Sequence, residues 1–184
     1  MKVATVQFQH VAGDITANLA VVKNYVLKAA TKNVELVIFP ECCLSGYWHL
    51  RNLTREQLGK IGQNVPAGFA CTQVTELART YNITIGVGLV EQTTAGTLYN
   101  AFFVVNADGT WANHRKLHCF VSQHMDSGDS FTVLDTPSGV RLGILTCYDN
   151  NIVENVRATS LLGAQILLAP HQTGGCNSGS PDAM

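Results

Sequence analysis

The 184-residue sequence predicts a mixed α/β fold, with βαβ units at both ends and antiparallel strands between them. Three observations carry that prediction. Near each terminus, short apolar runs of strand length alternate with segments whose apolar residues recur at helical spacing. In the middle, two apolar runs are joined by a few polar residues, which is a hairpin signature. The 16 glycines are spread along the chain and mark no linker or repeat.

The first strand is read over residues 3–8, β-branched and apolar, and expected to be buried. Ile15, Leu19, Val22, Val26, Ala29 and Ala30 recur at intervals of three and four, which makes residues 14–32 an amphipathic helix. Residues 34–39 form a second buried strand. Strand, helix and strand of these lengths place the two strands as parallel neighbours.

Residues 42–53 read as a loop, and Thr54 with Gln57 three positions on is a helix-start signal. A further helix is expected over 69–81. Strands over 83–90 and 99–105 flank a turn at 92–97, and a second turn at 106–109 leads into a strand over 110–114. After a loop at 117–130, strands at 131–134 and 141–146 flank Pro137-Ser138-Gly139. A helix over 151–162, capped by Asn151 with Glu154 and stopped by Gly163, leads to a last strand at 165–169. From residue 172 onward no periodicity is visible.

Composition narrows the function classes. With 46% hydrophobic and 14% charged residues and a net charge of −1, no basic stripe exists for a phosphate backbone. A nucleic-acid partner is excluded on that ground. The apolar run at 3–8 is too short for a signal-peptide core or a membrane span. The expectation is therefore a cytoplasmic protein whose six cysteines (42, 43, 71, 119, 147 and 176) are reduced thiols.

Three polar residues stand at the ends of apolar strands. Cys147 follows the run Val140 to Thr146 and is expected on a sharp turn facing a helix N-terminus, where partial positive charge favours a thiolate. On position alone the commoner reading is a small buried hydrophobe. Glu41 ends the run Val34 to Pro40, either solvated or, if its strand neighbours that of Cys147 in one sheet, facing the same crevice. Lys116 follows a strand and reads as a basic hairpin end or as a third partner. Together the three supply nucleophile, base and cation. An ammonium about 4 Å from a thiol, at an effective dielectric near 20, is worth roughly 4 kcal/mol, enough to lower the thiol pKa by a unit or more.

Phe39-Pro40-Glu41, Arg115-Lys116-Leu117-His118 and Leu145-Thr146-Cys147-Tyr148-Asp149, in that order, resemble the nitrilase superfamily of carbon–nitrogen hydrolases. Ser45-Gly46-Tyr47, Leu98-Tyr99-Asn100, Ser127-Gly128-Asp129 and Gly163-Ala164 add to the likeness. The resemblance implies a four-layer α-β-β-α sandwich, no metal or organic cofactor, and assembly into homodimers or larger homo-oligomers. It casts Glu41 as general base, Lys116 as positive stabiliser and Cys147 as nucleophile, with the Tyr148 N–H assisting at the oxyanion. Gln123 stands where many members carry a further glutamate. Tyr47 and His171 are candidate pocket residues, and Tyr99-Asn100 reads as structural.

The implied reaction hydrolyses a small amide, N-carbamoyl compound or nitrile with water through a cysteine thioester. Two alternatives are acyl transfer to an amine and a non-catalytic relative acting as an interaction module. A zinc site from His114, His118, His124 and Cys119 fits no compact spacing. The family continues beyond residue 184, so residues 1–184 read as one incomplete domain. That exact span is expected to expose core faces and to be poorly soluble or inactive, which a soluble, monomeric, ammonia-releasing preparation would contradict.

Overall fold

A computed structural model describes residues 1–172. The unpatterned tail and Cys176 lie outside the described residues. Eight strands and four α-helices are described: β1 (Val3–Thr5), α1 (Ile15–Ala30), β2 (Leu36–Ile38), α2 (Arg55–Ile61), α3 (Phe69–Tyr81), β3 (Thr84–Gln92), β4 (Leu98–Val105), β5 (Trp111–Arg115), β6 (Thr132–Asp135), β7 (Arg141–Ile144), α4 (Val153–Leu161) and β8 (Ile166–Leu168).

One sheet has the order β1-β2-β3-β4-β5, parallel across β1, β2 and β3 and antiparallel from β3 to β5; the other has the order β6-β7-β8. The expected parallel pairing of the first two strands is present, with Val3 opposite Leu36. So is the β3–β4 hairpin. At the far end, β7 and β8 pair in parallel across α4, the second βαβ unit.

Strand periodicity builds the layers. Val37, Ile85, Val87, Leu89, Phe103 and Val105 face one way, onto Leu19, Val22 and Val26 of α1 and Ala70, Val74 and Ala78 of α3. Their neighbours Leu36, Ile38, Phe102 and Val104 face the other way, onto Leu142, Ile144 and Leu168 of the small sheet. Both faces are covered, which is why these strands read as continuous apolar runs. Each such side chain contributes about 1.5–3 kcal/mol by leaving water. On the outer face of the small sheet, the glycine at Gly143 leaves room for Thr159 of α4 and for Ala164. The order helix, sheet, sheet, helix is the four-layer α-β-β-α sandwich.

Two of the helices open on side-chain caps. Asp14 accepts from the Ala17 N–H at 2.9 Å to open α1. Thr54 and Gln57 form a reciprocal capping box at α2. Three readings are corrected. β1 is not buried: it is an edge strand, with Val3 42% exposed. The 42–53 loop contains a 3-10 turn, Trp48–Asn52. Finally, α4 starts at Val153 after a separate 3-10 turn, Cys147–Asn151, and Ile152 at its N-cap provides no side-chain cap. Asn151 is therefore the end of that turn and not the cap. Among the described residues, no helix is long and apolar enough to cross a membrane.

Candidate functional site

β2 delivers Glu41 through Phe39 and Pro40, whose backbone runs against β3: the Phe39 N–H donates to Gly86 O and the Leu44 N–H to Gly88 O. The chain can turn here only because residue 88 is glycine. A Cβ there would strike Pro40 O, Glu41 C and Cys42 N. The turn places Cys42 at φ 48°, in the left-handed region, and sends Cys42 and Cys43 into different apolar clusters. Glu41 is fully buried.

β5 delivers Lys116, whose N–H donates to Asn100 O at 2.8 Å and whose carbonyl accepts from the Gly128 N–H. The exposed hairpin-end reading fails here: Lys116 is 1% exposed. β7 delivers Cys147 through Leu145 and Thr146. The Cys147 N–H donates to Pro170 O at 2.9 Å, and its φ is 52°, a strained value for a residue with a side chain. Asn150 Nδ2 braces the turn from below, donating to Leu145 O and Cys147 O.

The three side chains meet, but not within one sheet. β2 and β7 belong to different sheets, packed face to face through Leu36, Ile38, Leu142 and Ile144, so their carboxyl ends open onto the same edge of the sandwich. Lys116 Nζ donates to Glu41 Oε1 at 2.7 Å, and Asn100 Nδ2 donates to the same oxygen at 2.7 Å. Glu41 Oε2 accepts from the Gln172 N–H at 3.1 Å. The Glu41 carboxylate is near enough to the Cys147 thiol to influence its pKa.

The electrostatics reverse one expectation. Burial and then the Glu41 carboxylate push the Cys147 thiol above its ordinary pKa, and Lys116 opposes them without prevailing. Burial disfavours the anion, and the Lys116 ammonium that would favour it is paired with Glu41 at 2.7 Å. These surroundings disfavour a resting thiolate. Burial pulls the Lys116 ammonium down, but Glu41, by charge and hydrogen bond, raises it on balance.

Around this centre, the ring of Tyr47 lies 5.8 Å and that of Phe120 4.9 Å from Lys116 Nζ. Tyr47 is 2% exposed and faces the centre, where burial and then Glu41 raise its hydroxyl pKa. Tyr148 is 44% exposed, packed edge-on against Phe120 and His118. Its N–H lies in the first turn of a 3-10 helix, where N–H groups lack partners earlier in the helix.

Gln123 is exposed in a turn and, among the described residues, hydrogen-bonds none of Glu41, Lys116 and Cys147. His171 is exposed and turned back onto Ala169 O at 2.7 Å, lining a groove with Thr5, Gln7 and Pro40. His114, His118 and His124 do not converge. His114 is buried against Asp149, His118 is exposed beside Tyr148, and among the described residues no group of three or more His, Cys, Asp or Glu side chains is placed to hold a metal ion.

Sequence reasoning missed two residues. Asp149 accepts from the N–H groups of Leu117 at 3.0 Å and His118 at 2.9 Å, and pairs with His114 Nε2 at 3.3 Å. It thereby ties the Cys147 turn to the Lys116 segment. A buried-turn carboxylate two residues after a candidate nucleophile was the available signal. Asn100, read as structural alongside Tyr99, separates from it: the Tyr99 ring lies under Arg115, whereas Asn100 reaches Glu41.

Comparisons with known proteins bear on the family and the fold. The family described as carbon–nitrogen hydrolase matches residues 2–183. An (R)-stereoselective amidase of Pseudomonas sp. is 30% identical over 91% of this chain and 59% of its own length. A nitrilase of Pyrococcus abyssi is 29% identical over 92% and 64%, and human omega-amidase NIT2 28% over 92% and 62%. The chain thus spans about three fifths of the length of these relatives. Among solved structures, Saccharomyces cerevisiae Nit3, of the nitrilase superfamily, superposes with a TM-score of 0.82 at 25% identity over 96% of this chain and 66% of that one. An amidase from Nesterenkonia sp. shares the fold at a TM-score of 0.79 and 22% identity, over 97% and 67%. Its matched span, its layered fold and its relatives make this chain a member of the carbon–nitrogen hydrolase family.

Proposed function

We propose that this protein hydrolyses a small amide through a thioester on Cys147, with Glu41 as general base and acid and Lys116 as the fixed cation. The observation that carries the reading is that one buried carboxylate, Glu41, pairs with Lys116 at 2.7 Å and stands near enough to the Cys147 thiol to raise its pKa.

Because the surroundings disfavour a resting thiolate, Glu41 takes the thiol proton as sulfur attacks the amide carbon. The oxygen that gains charge is met by the Lys116 ammonium and the Tyr148 N–H. Glu41 returns the proton to the leaving nitrogen, ammonia departs, and the acyl group remains on sulfur. Glu41 then deprotonates a water that attacks the thioester, releasing the acid and restoring the thiol. Lys116 stays paired throughout, so the barrier falls through preorganised charge. Tyr47 and Phe120 hold the cation in place by their ring faces.

Relatives bearing the names amidase and omega-amidase support the amide over the nitrile, while the nitrilase relative keeps the nitrile as the second substrate class. The five described cysteines are free thiols, which fits a reducing compartment.

The test is an ammonia-release screen over small amides and nitriles, with mass analysis of acid-quenched reactions. Ammonia release with an acyl adduct on Cys147, and neither in Cys147→Ala, is expected. Ammonia release surviving in Cys147→Ala overturns the reading. Adding hydroxylamine or an amine separates hydrolysis from acyl transfer by the product formed.

A further inference from the structure

Asn100 is fully buried in a strand whose following residues, Ala101 to Val105, are all buried and apolar. An amide is costly to bury there unless each of its atoms is satisfied. Each is. Nδ2 donates to Glu41 Oε1 at 2.7 Å, Oδ1 accepts from the Cys42 thiol at 3.3 Å, and the backbone carbonyl accepts from the Lys116 N–H at 2.8 Å. One residue thus touches the side chain of Glu41 and the backbone of Lys116.

The chemistry of the partners fixes which way the amide faces. A carboxylate oxygen accepts only, so Nδ2 must point at Glu41. The Cys42 thiol, kept protonated by burial and by the neighbouring Glu41, is a donor and must meet Oδ1. No other residue of this size offers a donor on one side and an acceptor on the other. Aspartate would set a second carboxylate against Glu41; leucine would leave Glu41 one donor short.

We propose that Asn100 is a positioning residue for Glu41: its amide, oriented by the Cys42 thiol, fixes the orientation of the carboxylate beside Lys116 and Cys147. Glu41 Oε1 then carries two donors, the Lys116 ammonium and the Asn100 amide, which limits rotation of the carboxylate. The proposal deepens the hydrolase reading and rests on the role given there to Glu41.

The experiment compares Asn100→Asp, Cys42→Ala and Cys42→Ser by two readouts: the pH profile of Cys147 alkylation by iodoacetamide, followed by mass, and the pH profile of ammonia release. In Asn100→Asp, a second carboxylate stands within hydrogen-bonding distance of Glu41, and its negative charge opposes loss of the thiol proton. Both profiles move to higher pH by about one unit or more, and kcat falls while KM holds. Cys42→Ala frees the amide and lowers kcat roughly tenfold, and Cys42→Ser, whose hydroxyl donates to the same oxygen, restores it.

An Asn100→Asp profile that superposes on the parent overturns the proposal. Should that variant lose its melting transition, the Cys42 pair decides, and Cys42→Ala behaving as the parent overturns it. An alkylation shift in a protein that releases no ammonia from any amide supports the positioning role and sinks the hydrolase reading. Ammonia release with unmoved profiles does the reverse.

Discussion

Lys116 Nζ stands 2.7 Å from Glu41 Oε1 across 75 residues of sequence, with both side chains at or below 1% exposure. Removing either partner leaves an uncompensated buried charge, whereas removing both does not. We expect Lys116→Met to lower unfolding free energy by about 3–5 kcal/mol and Glu41→Gln to lower it less. The double variant should be more stable than Lys116→Met alone. Urea denaturation of the four proteins of the cycle measures this, and additive losses would refute the coupling.

Glu41 also sets the state of the sulfur. Because burial and then the Glu41 charge raise the Cys147 thiol, Glu41→Gln should make Cys147 alkylate faster at neutral pH than in the parent, while abolishing ammonia release. The two effects point in opposite directions, which a simple loss of structure would not produce. The sign for stability follows as well. A thiol raised on folding contributes stability below its unfolded pKa, and that contribution is lost as pH rises through the folded value. The parent should lose stability above about pH 9 more steeply than Cys147→Ala.

Asp149 is the tie between the Cys147 turn and the Lys116 segment. Burial works against its ionised form, but the His114 hydrogen bond and the N–H groups of Leu117 and His118 lower its pKa on balance. A depressed carboxylate contributes stability above its unfolded value, near 3.9, and loses it as pH falls through the folded value. Asp149→Asn should cost about 2–3 kcal/mol at pH 7, and the gap from the parent should narrow below about pH 4. Denaturation at several pH values tests this; a gap independent of pH would count against it.

At Gly88 the fold and the site are one question. A methyl group there meets three backbone atoms of the Pro40–Cys42 turn, none of which can swing aside. Gly88→Ala should lower stability by about 1–3 kcal/mol and reduce ammonia release more than stability alone explains, because Glu41 rides on the displaced turn. An alanine variant with unchanged Cys147 alkylation and turnover would show that the turn is less constrained than described.

The helices were legible from local pattern. α1 and α3 follow from apolar residues on one face, and α2 from the Thr54–Gln57 pair, because each depends on residues a few positions apart. The β3–β4 hairpin was equally legible, since its register is set by the short connection between the strands. The start of α4 was not. Asn151 and Glu154 make a plausible cap, but the Cys147 turn, braced by Asn150 and Asp149, extends four residues further and takes Asn151 with it.

Local order along the chain, and the placement of Glu41, Lys116 and Cys147 at strand ends, follow from periodicity and from where apolar runs stop; these are short-range properties written directly in the residues. That Glu41 and Cys147 arrive from two different sheets, that Lys116 is buried, that Asn100 joins them, and that the Cys147 thiol is raised were decided by the packing of Leu36, Ile38, Phe102 and Val104 against Leu142, Ile144 and Leu168. Desolvation and charge pairing act through space at distances of a few ångströms. Such distances between groups tens of residues apart exist only once the two sheets have closed on each other.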